Sequence, residues 1–385
     1  MIILGLETSC DETAASILEV ENERVKVLSS IISSQIELHA KWGGVVPNLA
    51  AREHLKNILP VIETALKKAK KKPTDLDLIA VTNGPGLIPA LLIGTTTAKT
   101  LSYLWRVPLI GIHHIEGHIY ANFISHTRNK VCAISNFQFP ISNKIPNSNT
   151  QNLKQIKRCK NFKLEFPILC LVVSGGHTQL VLMKKHLDYE IIGETVDDAV
   201  GEAYDKVARI LNLGYPGGPA VAKLADSYAG ERKFKITLPR PMLKSANFNF
   251  SFSGLKTAVL YATKKNPENL KNADYLSEMC QEFQTAVTDV LVAKTICAAK
   301  KYAPKTILLA GGVSANVYLR KRLELSVKEN LENTACLVPE LVYSMDNAAM
   351  IAMAGYYRWK NASNEDKKSL GKSWESLETS ASLRM

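Results

Sequence analysis

The sequence predicts an α/β protein composed of two similar halves. Short apolar runs with the length of buried strands alternate along the chain with longer segments whose apolar residues recur at helical spacing. Strands that alternate with helices in this way form α/β sheets. Each half also begins with a strand–turn–strand hairpin, at residues 4–17 and 171–181, which indicates a weak internal repeat.

The length and composition are those of a globular protein. A chain of 385 residues with 46% hydrophobic and 22% charged residues is not a disordered chain, and its length corresponds to about two or three domains. The longest apolar stretch, residues 87–104, is interrupted by Gly94 and Lys99, so no membrane helix is expected. The apolar start has no basic segment and meets Glu7, so no signal peptide is expected. Seven cysteines without a C-x-x-C pair predict reduced thiols and a cytoplasmic location.

The basic charge is concentrated in one segment. The net charge is +12, and residues 127–165 alone hold eight Lys or Arg and one Glu. This segment is rich in Asn, Ser and Gln and has no stable periodicity, which predicts an irregular basic insertion. Two interpretations remain open: an arm that contacts nucleic-acid phosphates, or a tolerated surface insertion.

The first half alternates strands with helices. An apolar run that ends in a polar turn predicts the first strand, and the loop Asn83-Gly84-Pro85-Gly86 separates a strand from the helix that follows it. Pro60 is expected to break or kink its helix. The predicted strands are 1–7, 25–32, 78–81 and 108–112, and the predicted helices are 50–69, one from about 88, and 114–123.

The second half repeats the pattern. The Gly175-Gly176 pair predicts a tight turn between two strands, and the glycines and proline of residues 214–218 predict a helix end. The tail from Lys360 is charged and Ser-rich, so we expect it to be frayed. The predicted strands are 167–174, 178–184 and 306–310, and the predicted helices are 197–211, 278–302, 314–325 and 346–357.

Three turns of glycine or small polar residues follow apolar strands, at residues 7–13, 173–178 and 310–316. Such turns allow backbone N–H groups to approach an oxyanion, and a helix N-terminus adds to this after the third turn. A single Gly-Gly pair is more often a plain tight turn. Three turns of this kind at strand ends favour a phosphate-containing ligand, although none matches the P-loop or Rossmann pattern.

His114 and His118 are four residues apart, on one face of a predicted helix. This spacing suits two ligands of one divalent ion, and two histidines without a metal are an equally open interpretation. Asp346 is the best candidate for a third ligand, but its position suits a helix N-cap as well. The order H-x-E-x-H differs from the H-E-x-x-H of zinc peptidases, since Glu116 points away from the histidines.

Four acidic residues, Asp197, Asp198, Glu202 and Asp205, fall within one predicted helix. A solvated acidic face is one interpretation of this group. Asp205, followed by the glycine turn at 217–218, instead suits recognition of ribose hydroxyls.

Taken together, these motifs resemble the TsaD family of tRNA threonylcarbamoyl transferases. The resemblance extends over residues 1–123 and 166–358, most of the chain. The matching motifs are residues 5–13, the W-G-G-V-V-P of 42–47, the G-P-G of 84–86, residues 114–118, 173–178 and 197–218, the F-S-F-S-G-L-K of 250–256, residues 310–316 and the D-N-A-A of 346–349. Asn48 and Ala51 depart from the family, which usually has an acid and a serine there.

The resemblance implies an actin/Hsp70/sugar-kinase (ASKHA) superfold, with two RNase H-like lobes around a nucleotide cleft. Lobe I is expected to contain residues 1–126 and 343–385, and lobe II residues 166–342, with the insertion at 127–165 between them. The implied reaction transfers the threonylcarbamoyl group of threonylcarbamoyl-AMP to N6 of adenosine 37 in tRNAs that read ANN codons, with release of AMP.

The resemblance also assigns residues. His114, His118 and Asp346 match the metal ligands, and Asp11 matches an active-site acid that either accepts a proton or orients the substrate. One divalent ion is implied, with Fe(II) favoured and Zn second. The implied partners, besides tRNA, are a catalytically inert TsaB-like paralogue and a small TsaE-like ATPase. The positions that match the adenylate-binding residues are Val172, Val173, Ser174, Gly175, Gly176, Asp205, Gly218 and Asn316.

Three other classes of protein share some of these features. A small-molecule kinase of the same superfold explains the glycine turns but leaves His114, His118 and Asp346 without a role. A metalloendopeptidase lacks a glutamate placed as a general base. A non-enzymatic ATP-gated chaperone needs a large C-terminal substrate domain, and no segment resembles one.

Overall fold

The computed structural model describes residues 1–126 and 164–385, and it confirms the predicted α/β architecture. The described chain contains two five-stranded sheets. The predictions for the basic insertion lie almost entirely outside the described residues, because only residues 164 and 165 of that segment are included. Among the described helices, none combines the length and the apolar character that crossing a membrane requires.

The first sheet has the strand order β3-β2-β1-β4-β5. Strands β1 to β3 form an antiparallel meander, whereas β4 and β5 run parallel to β1. The carboxyl ends of β1, β4 and β5 therefore lie at one edge of the sheet. The strands are β1 (Ile2–Glu7), β2 (Glu12–Glu21), β3 (Arg24–Ser34), β4 (Leu78–Gly84) and β5 (Leu109–His113).

The second sheet repeats this topology, with the order β10-β9-β6-β7-β8. An antiparallel meander, β6 to β8, is again followed by two parallel strands. The predicted repeat is thus confirmed, while β8 was missed because its side chains are mostly half-buried or exposed and form no apolar run. The strands are β6 (Ile168–Val173), β7 (Thr178–Lys185), β8 (Asp188–Glu194), β9 (Thr306–Ala310) and β10 (Ala335–Leu337).

Helices cover the two sheets and connect their parallel strands. The described helices are α1 (Ile36–Ala40), α2 (Pro47–Ala69), α3 (Ile88–Trp105), α4 (His114–His126), α5 (Val200–Ile210), α6 (Gly217–Asp226), α7 (Ser253–Lys265), α8 (Ala273–Tyr302), α9 (Val317–Asn330), α10 (Ala348–Asn361), α11 (Asn364–Leu370) and α12 (Ser373–Ser376). The central strands β1 and β6 are buried along their whole length, as expected for parallel sheets covered on both faces.

Helix α10 lies between the two sheets. Its residues from Ala348 to Ala354 are fully buried, in a core that also contains side chains of β1 and β9. The helix touches the first sheet closely at Gly5, where a Cβ atom would collide with the carbonyl oxygen of Ala348. Glycine at this position therefore allows the start of α10, and the residues just before it, to lie directly against β1.

Several predicted element boundaries were wrong; helix α8, for example, begins at Ala273 and not at residue 278. Helix α2 runs from Pro47 to Ala69 as a single helix that includes Pro60. The predicted helix over 197–211 begins only at Val200, so Asp197 and Asp198 precede it.

The prediction of a frayed tail was also wrong. Residues 364–376 contain α11 and α12, and the chain beyond them packs on the first sheet. The backbone N–H of Ser380 donates to the carbonyl of Asn83 (2.9 Å), and Nε2 of His113 donates to the carbonyl of Leu383 (2.9 Å). The polar composition of the tail hid these contacts because they are made by the backbone.

Candidate functional site

His114, His118 and Asp346 meet at the carboxyl edge of the first sheet. Helix α4 begins at His114, immediately after β5, so both histidines face the same side one helical turn apart. Oδ1 of Asp346 lies 3.1 Å from Nε2 of His118 and 3.6 Å from Nε2 of His114. One donor atom from each residue lies within 4.8 Å of the others, a separation that suits ligands of a single ion.

The three side chains fit a divalent cation. Both ring nitrogens of His118 are buried, and Nδ1 has no hydrogen-bond partner among the described residues. Nε2 contacts Oδ1 of Asp346 at 3.1 Å, a close approach of nitrogen and carboxylate that a shared cation would bridge. The alternative role of Asp346 as an N-cap is not observed, because Asn347 caps α10 by accepting the backbone N–H of Met350 (3.0 Å).

Glu7 orients His114, a role that sequence analysis did not predict. Its side chain is fully buried, and Oε2 lies 3.2 Å from Nδ1 of His114. The hydroxyl of Thr82 and the backbone N–H of Ser9 also donate to its carboxylate (2.5 and 2.6 Å). A carboxylate on Nδ1 fixes the imidazole so that Nε2 faces the ligand position, an arrangement common around metal-bound histidines.

Burial and the neighbouring charges have opposite effects on the pKa values of His114 and Asp346. Burial acts to lower the pKa of His114, but the negative charges of Asp346 and Glu7 outweigh it and raise the pKa to about 9. Burial conversely acts to raise the pKa of Asp346, but the charges of His114 and His118 lower it to about 2. The site therefore holds a positive charge between carboxylates, and a metal cation would take the place of the His114 proton.

The turn after β1 adds two further buried carboxyl groups, Asp11 and Glu12. Burial, followed by the charges of Asp346 and Asp11, raises the pKa of Glu12 to about 10, so that this group is protonated at neutral pH. Burial raises the pKa values of Asp205 and Tyr215 in the second half of the chain, and the charge of Asp11 adds to both shifts. The negative charge of Asp11 therefore acts on groups of the second half as well as on Glu12.

The second and third glycine turns are adjacent. Gly311 follows β9 with a φ of 88°, and a Cβ atom there would collide with the carbonyl oxygen of Val173 at the end of β6. The second turn also faces the histidine pair. Burial and the charges of His114 and His118 lower the pKa of His177 to about 4. The three predicted turns thus converge between the two sheets.

The adenylate-binding candidates differ in what they can offer a ligand. Gly175, Gly176 and Gly218 have open space where a side chain would stand, so their backbone can be approached closely. The side chains of Val172 and Val173 are fully buried, which leaves only their backbone atoms for a ligand. The hydroxyl oxygen of Ser174 accepts the backbone N–H of His177 within its own turn (3.1 Å).

Asp205 and Asn316 already have partners within the protein. Oδ1 of Asp205 accepts the backbone N–H of Gly217 at 2.7 Å, which ties α5 to the start of α6 and to Gly218. Asn316 caps α9, and its amide donates to Oε1 of Gln284 at 2.8 Å. Their roles toward a nucleotide stay predictions.

The acidic residues at 197–205 combine exposure to solvent with contacts inside the protein. Oδ1 of Asp197 accepts the backbone N–H groups of Phe252 and Ser253, at the start of α7 (2.8 and 3.2 Å). Asp198 forms ion pairs with Lys206 and Lys256 (2.6 and 3.1 Å). These two carboxylates therefore connect the segment before α5 to α7, although the side chain of Asp197 stays exposed.

Sequence comparisons with known proteins all indicate the same family. The family model described as tRNA N6-adenosine threonylcarbamoyltransferase, TsaD, matches residues 26–135 and 148–353. Proteins of that name are similar to this chain over nearly its whole length. The one from Thermosipho melanesiensis is 48% identical over 357 residues, covering 92% of this chain and 94% of the relative. The one from Persephonella marina is 46% identical over 365 residues, covering 94% and 91%.

Solved structures support the fold. Full-length HypF, in a phosphate- and nucleotide-bound form, is similar over 94% of this chain and 47% of its own length, with a TM-score of 0.54 and 13% identity. HypF of T. kodakarensis gives a TM-score of 0.52 over 95% of this chain and 48% of its own length. At this identity the likeness concerns the fold alone, and with the repeated sheets it confirms the expected ASKHA architecture.

Proposed function

Because the chain belongs to the TsaD family of tRNA N6-adenosine threonylcarbamoyltransferases, we propose that its central cleft carries out a metal-assisted acyl transfer from threonylcarbamoyl-AMP. The chain is a transferase that forms threonylcarbamoyladenosine in tRNA. The acceptor is N6 of adenosine 37 in tRNAs that read ANN codons. The observation that carries the proposed mechanism is the meeting of His114, His118 and Asp346 beside the glycine turns.

The donor is a mixed anhydride of a carbamic acid and a phosphate. The N6 amine attacks the carbamoyl carbon, the bond from that carbon to the phosphate oxygen breaks, and AMP departs with the electron pair. In the proposed cleft, formed by lobe I (residues 1–126 and 343–385) and lobe II (residues 166–342), the open backbone at Gly175, Gly176 and Gly218 binds the adenylate. Backbone N–H groups held in place before the reaction stabilise the phosphate as charge develops on it.

His114, His118 and Asp346 are the proposed metal ligands, and Glu7 holds His114 in the ligating orientation. When bound, a divalent ion supplies Lewis-acid polarisation and a template for the acyl phosphate. Two imidazoles and one carboxylate suit Fe(II) and Zn, and the family favours Fe(II).

Asp11 is the proposed catalytic carboxylate. The amine loses a proton as its bond to the carbamoyl carbon forms, and a carboxylate in the cleft is placed to receive it. Glu12, which is neutral at pH 7, cannot take this proton. The amine of adenine is a weak nucleophile, so correct positioning of the two substrates supplies a large part of the rate.

A TsaB-like paralogue and a TsaE-like ATPase are the proposed protein partners, and a cytoplasmic location stays a prediction. The metalloendopeptidase alternative lacks a free base, since both carboxylate oxygens of Glu116 are held by Arg358. The small-molecule kinase alternative leaves the metal-ligand candidates without a role.

The test is reconstituted transfer. Labelled threonine, ATP, bicarbonate, a threonylcarbamoyl-adenylate synthase and tRNA are incubated with the full chain, with and without the two partner proteins. We expect label in tRNA only when the chain is present, at an adenosine beside the anticodon. Label retained when His118→Ala replaces the parent chain would contradict the proposed metal site, while absence of label with every partner present would contradict the transfer itself.

A further inference from the structure

We infer that Glu116 and Arg358 are a positioning pair that sets the distance between the two helices supplying the metal ligands. The inference rests on the proposed metal site. Two of the ligand candidates lie on α4, and the third, Asp346, lies just before α10. The two helices are far apart in sequence, so the geometry of the site depends on how α4 and α10 pack against each other.

Glu116 and Arg358 join these helices directly. The side chain of Glu116 is fully buried, whereas that of Arg358 is 40% exposed. Nε of Arg358 donates to both carboxylate oxygens (2.8 and 3.0 Å), and Nη2 donates to Oε2 at 2.6 Å. A planar guanidinium that engages both oxygens restricts direction as well as distance, which a lysine in its place does not do.

A second contact fixes the other end of α10. A Cβ atom at Gly117 would lie 2.6 Å from Cδ1 of Ile351 and 3.3 Å from Cγ of Met350, so α4 touches α10 closely at its start. Arg358 is about 12 Å further along the same helix, at 1.5 Å per residue. The rings of Tyr120 and Phe123 on α4 also contact Tyr357 on α10, with centroids 4.8 and 5.4 Å apart, so the ion pair adds a directional polar contact to an apolar interface between the helices.

The residues of the motif at 114–118 therefore have two different roles. His114 and His118 face the metal site, while Glu116 and Gly117 face α10. The acid in H-x-E-x-H is consequently a positioning residue and not a proton acceptor, which separates this motif from the peptidase pattern. Glu116 therefore affects a bound ion indirectly, because it sets the position of Asp346 relative to the two histidines.

The experiment measures metal binding without catalysis. The metal-free full chain, Glu116→Gln and Arg358→Lys are titrated with Co²⁺, and the d–d absorption bands report affinity and coordination geometry. Thermal unfolding of each protein is recorded in parallel. Glu282→Gln is the matched control. Glu282 lies on α8, and its buried carboxylate pairs with Arg240 at 2.5 Å. The apolar residues of α8 belong to a different core cluster from those of α4 and α10.

We expect both positioning variants to bind Co²⁺ about tenfold or more weakly than the parent, with shifted bands, as for other residues that support metal ligands. The control should unfold at a lower temperature yet keep the parent affinity and spectrum. Arg358→Lys, which keeps the charge, decides the question if Glu116→Gln does not fold.

Parent affinity and an unchanged spectrum in Arg358→Lys, together with a lowered unfolding temperature, would overturn the inference and leave the pair as a purely structural contact. Failure of the metal site itself gives a different result. In that case His118→Ala would also bind Co²⁺ like the parent.

Discussion

Oε2 of Glu7 lies 3.2 Å from Nδ1 of His114, while Asp346 lies 3.6 Å from Nε2 on the other side of the ring. The imidazole is held between two carboxylates, one fully buried at the end of β1 and one in the loop before α10. This arrangement connects the first strand of the chain to the candidate metal site, and it makes Glu7 a residue whose role can be tested.

Replacing Glu7 with Gln should weaken metal binding by about 10–100-fold, because His114 loses the partner that orients its ring. The pKa of His114 should fall at the same time, since one of the two negative charges that raise it is removed. Titration with Zn²⁺ or Co²⁺ measures the first effect. Glu19→Gln, a change on β2 in the same sheet, is the control, and equal affinities for the two variants would remove Glu7 from the site.

Asp346→Asn should abolish or strongly reduce transfer while the N-cap of α10 stays in place. Asn347 and not Asp346 caps α10, so the change removes a ligand charge without removing a cap. Asn272→Ala provides the contrast, because its exposed side chain only caps α8, and it should cost about 1 kcal/mol of stability while leaving activity intact. Parent-like transfer by Asp346→Asn would exclude this carboxylate from the site.

Asp11→Asn should lower kcat by about 10²–10⁴-fold with little change in KM for the adenylate, as expected when a group that accepts a proton is lost. The amide keeps the size of the carboxylate and one acceptor oxygen, so binding should survive. Steady-state transfer into tRNA measures both constants, with Asp188→Asn at the β7–β8 hairpin as the control. A kcat near that of the parent would restrict Asp11 to orienting the substrate.

Deleting residues 379–385 should destabilise the fold by about 2–4 kcal/mol. The deletion removes the backbone bonds of Asn83 and Gly86 to the tail and the bond of His113 to Leu383, each worth about 0.5–1.5 kcal/mol. Denaturant unfolding measures the change, and substitution of exposed Glu375 with Gln serves as a control within the tail. An unchanged midpoint would mean that these contacts contribute nothing in solution.

The elements that sequence analysis predicted correctly are those whose signal is local. His114 and His118 were recognised from a spacing of one helical turn, and β1, β6 and β9 from uninterrupted apolar runs. The residue missed at the site is Glu7, because a single carboxylate after an apolar strand looks like the end of that strand. Its role comes from Thr82 and His114, which the fold brings to it from other strands.

The errors share the same physical origin. Asp197 and Asp198 fall within the predicted helix 197–211, whereas the start of α7, more than fifty residues later, is what holds Asp197. The tail was expected to fray because its side chains are polar, but its backbone forms hydrogen bonds to Asn83 at the end of β4, to Gly86 in the loop that follows, and to His113 of β5. Composition carries no information about such long-range backbone contacts.

The proposal that an ion held by His114, His118 and Asp346 assists the transfer is tested most directly by restoring metal to the metal-free chain. Transfer of labelled threonine into tRNA is measured while Fe(II) or Zn(II) is added to the parent chain and to His118→Ala. The parent should be inactive without metal and regain activity at one ion per chain, while His118→Ala should stay inactive at every concentration although it remains folded. Full activity of the metal-free parent, or equal recovery by the variant, would contradict the proposal.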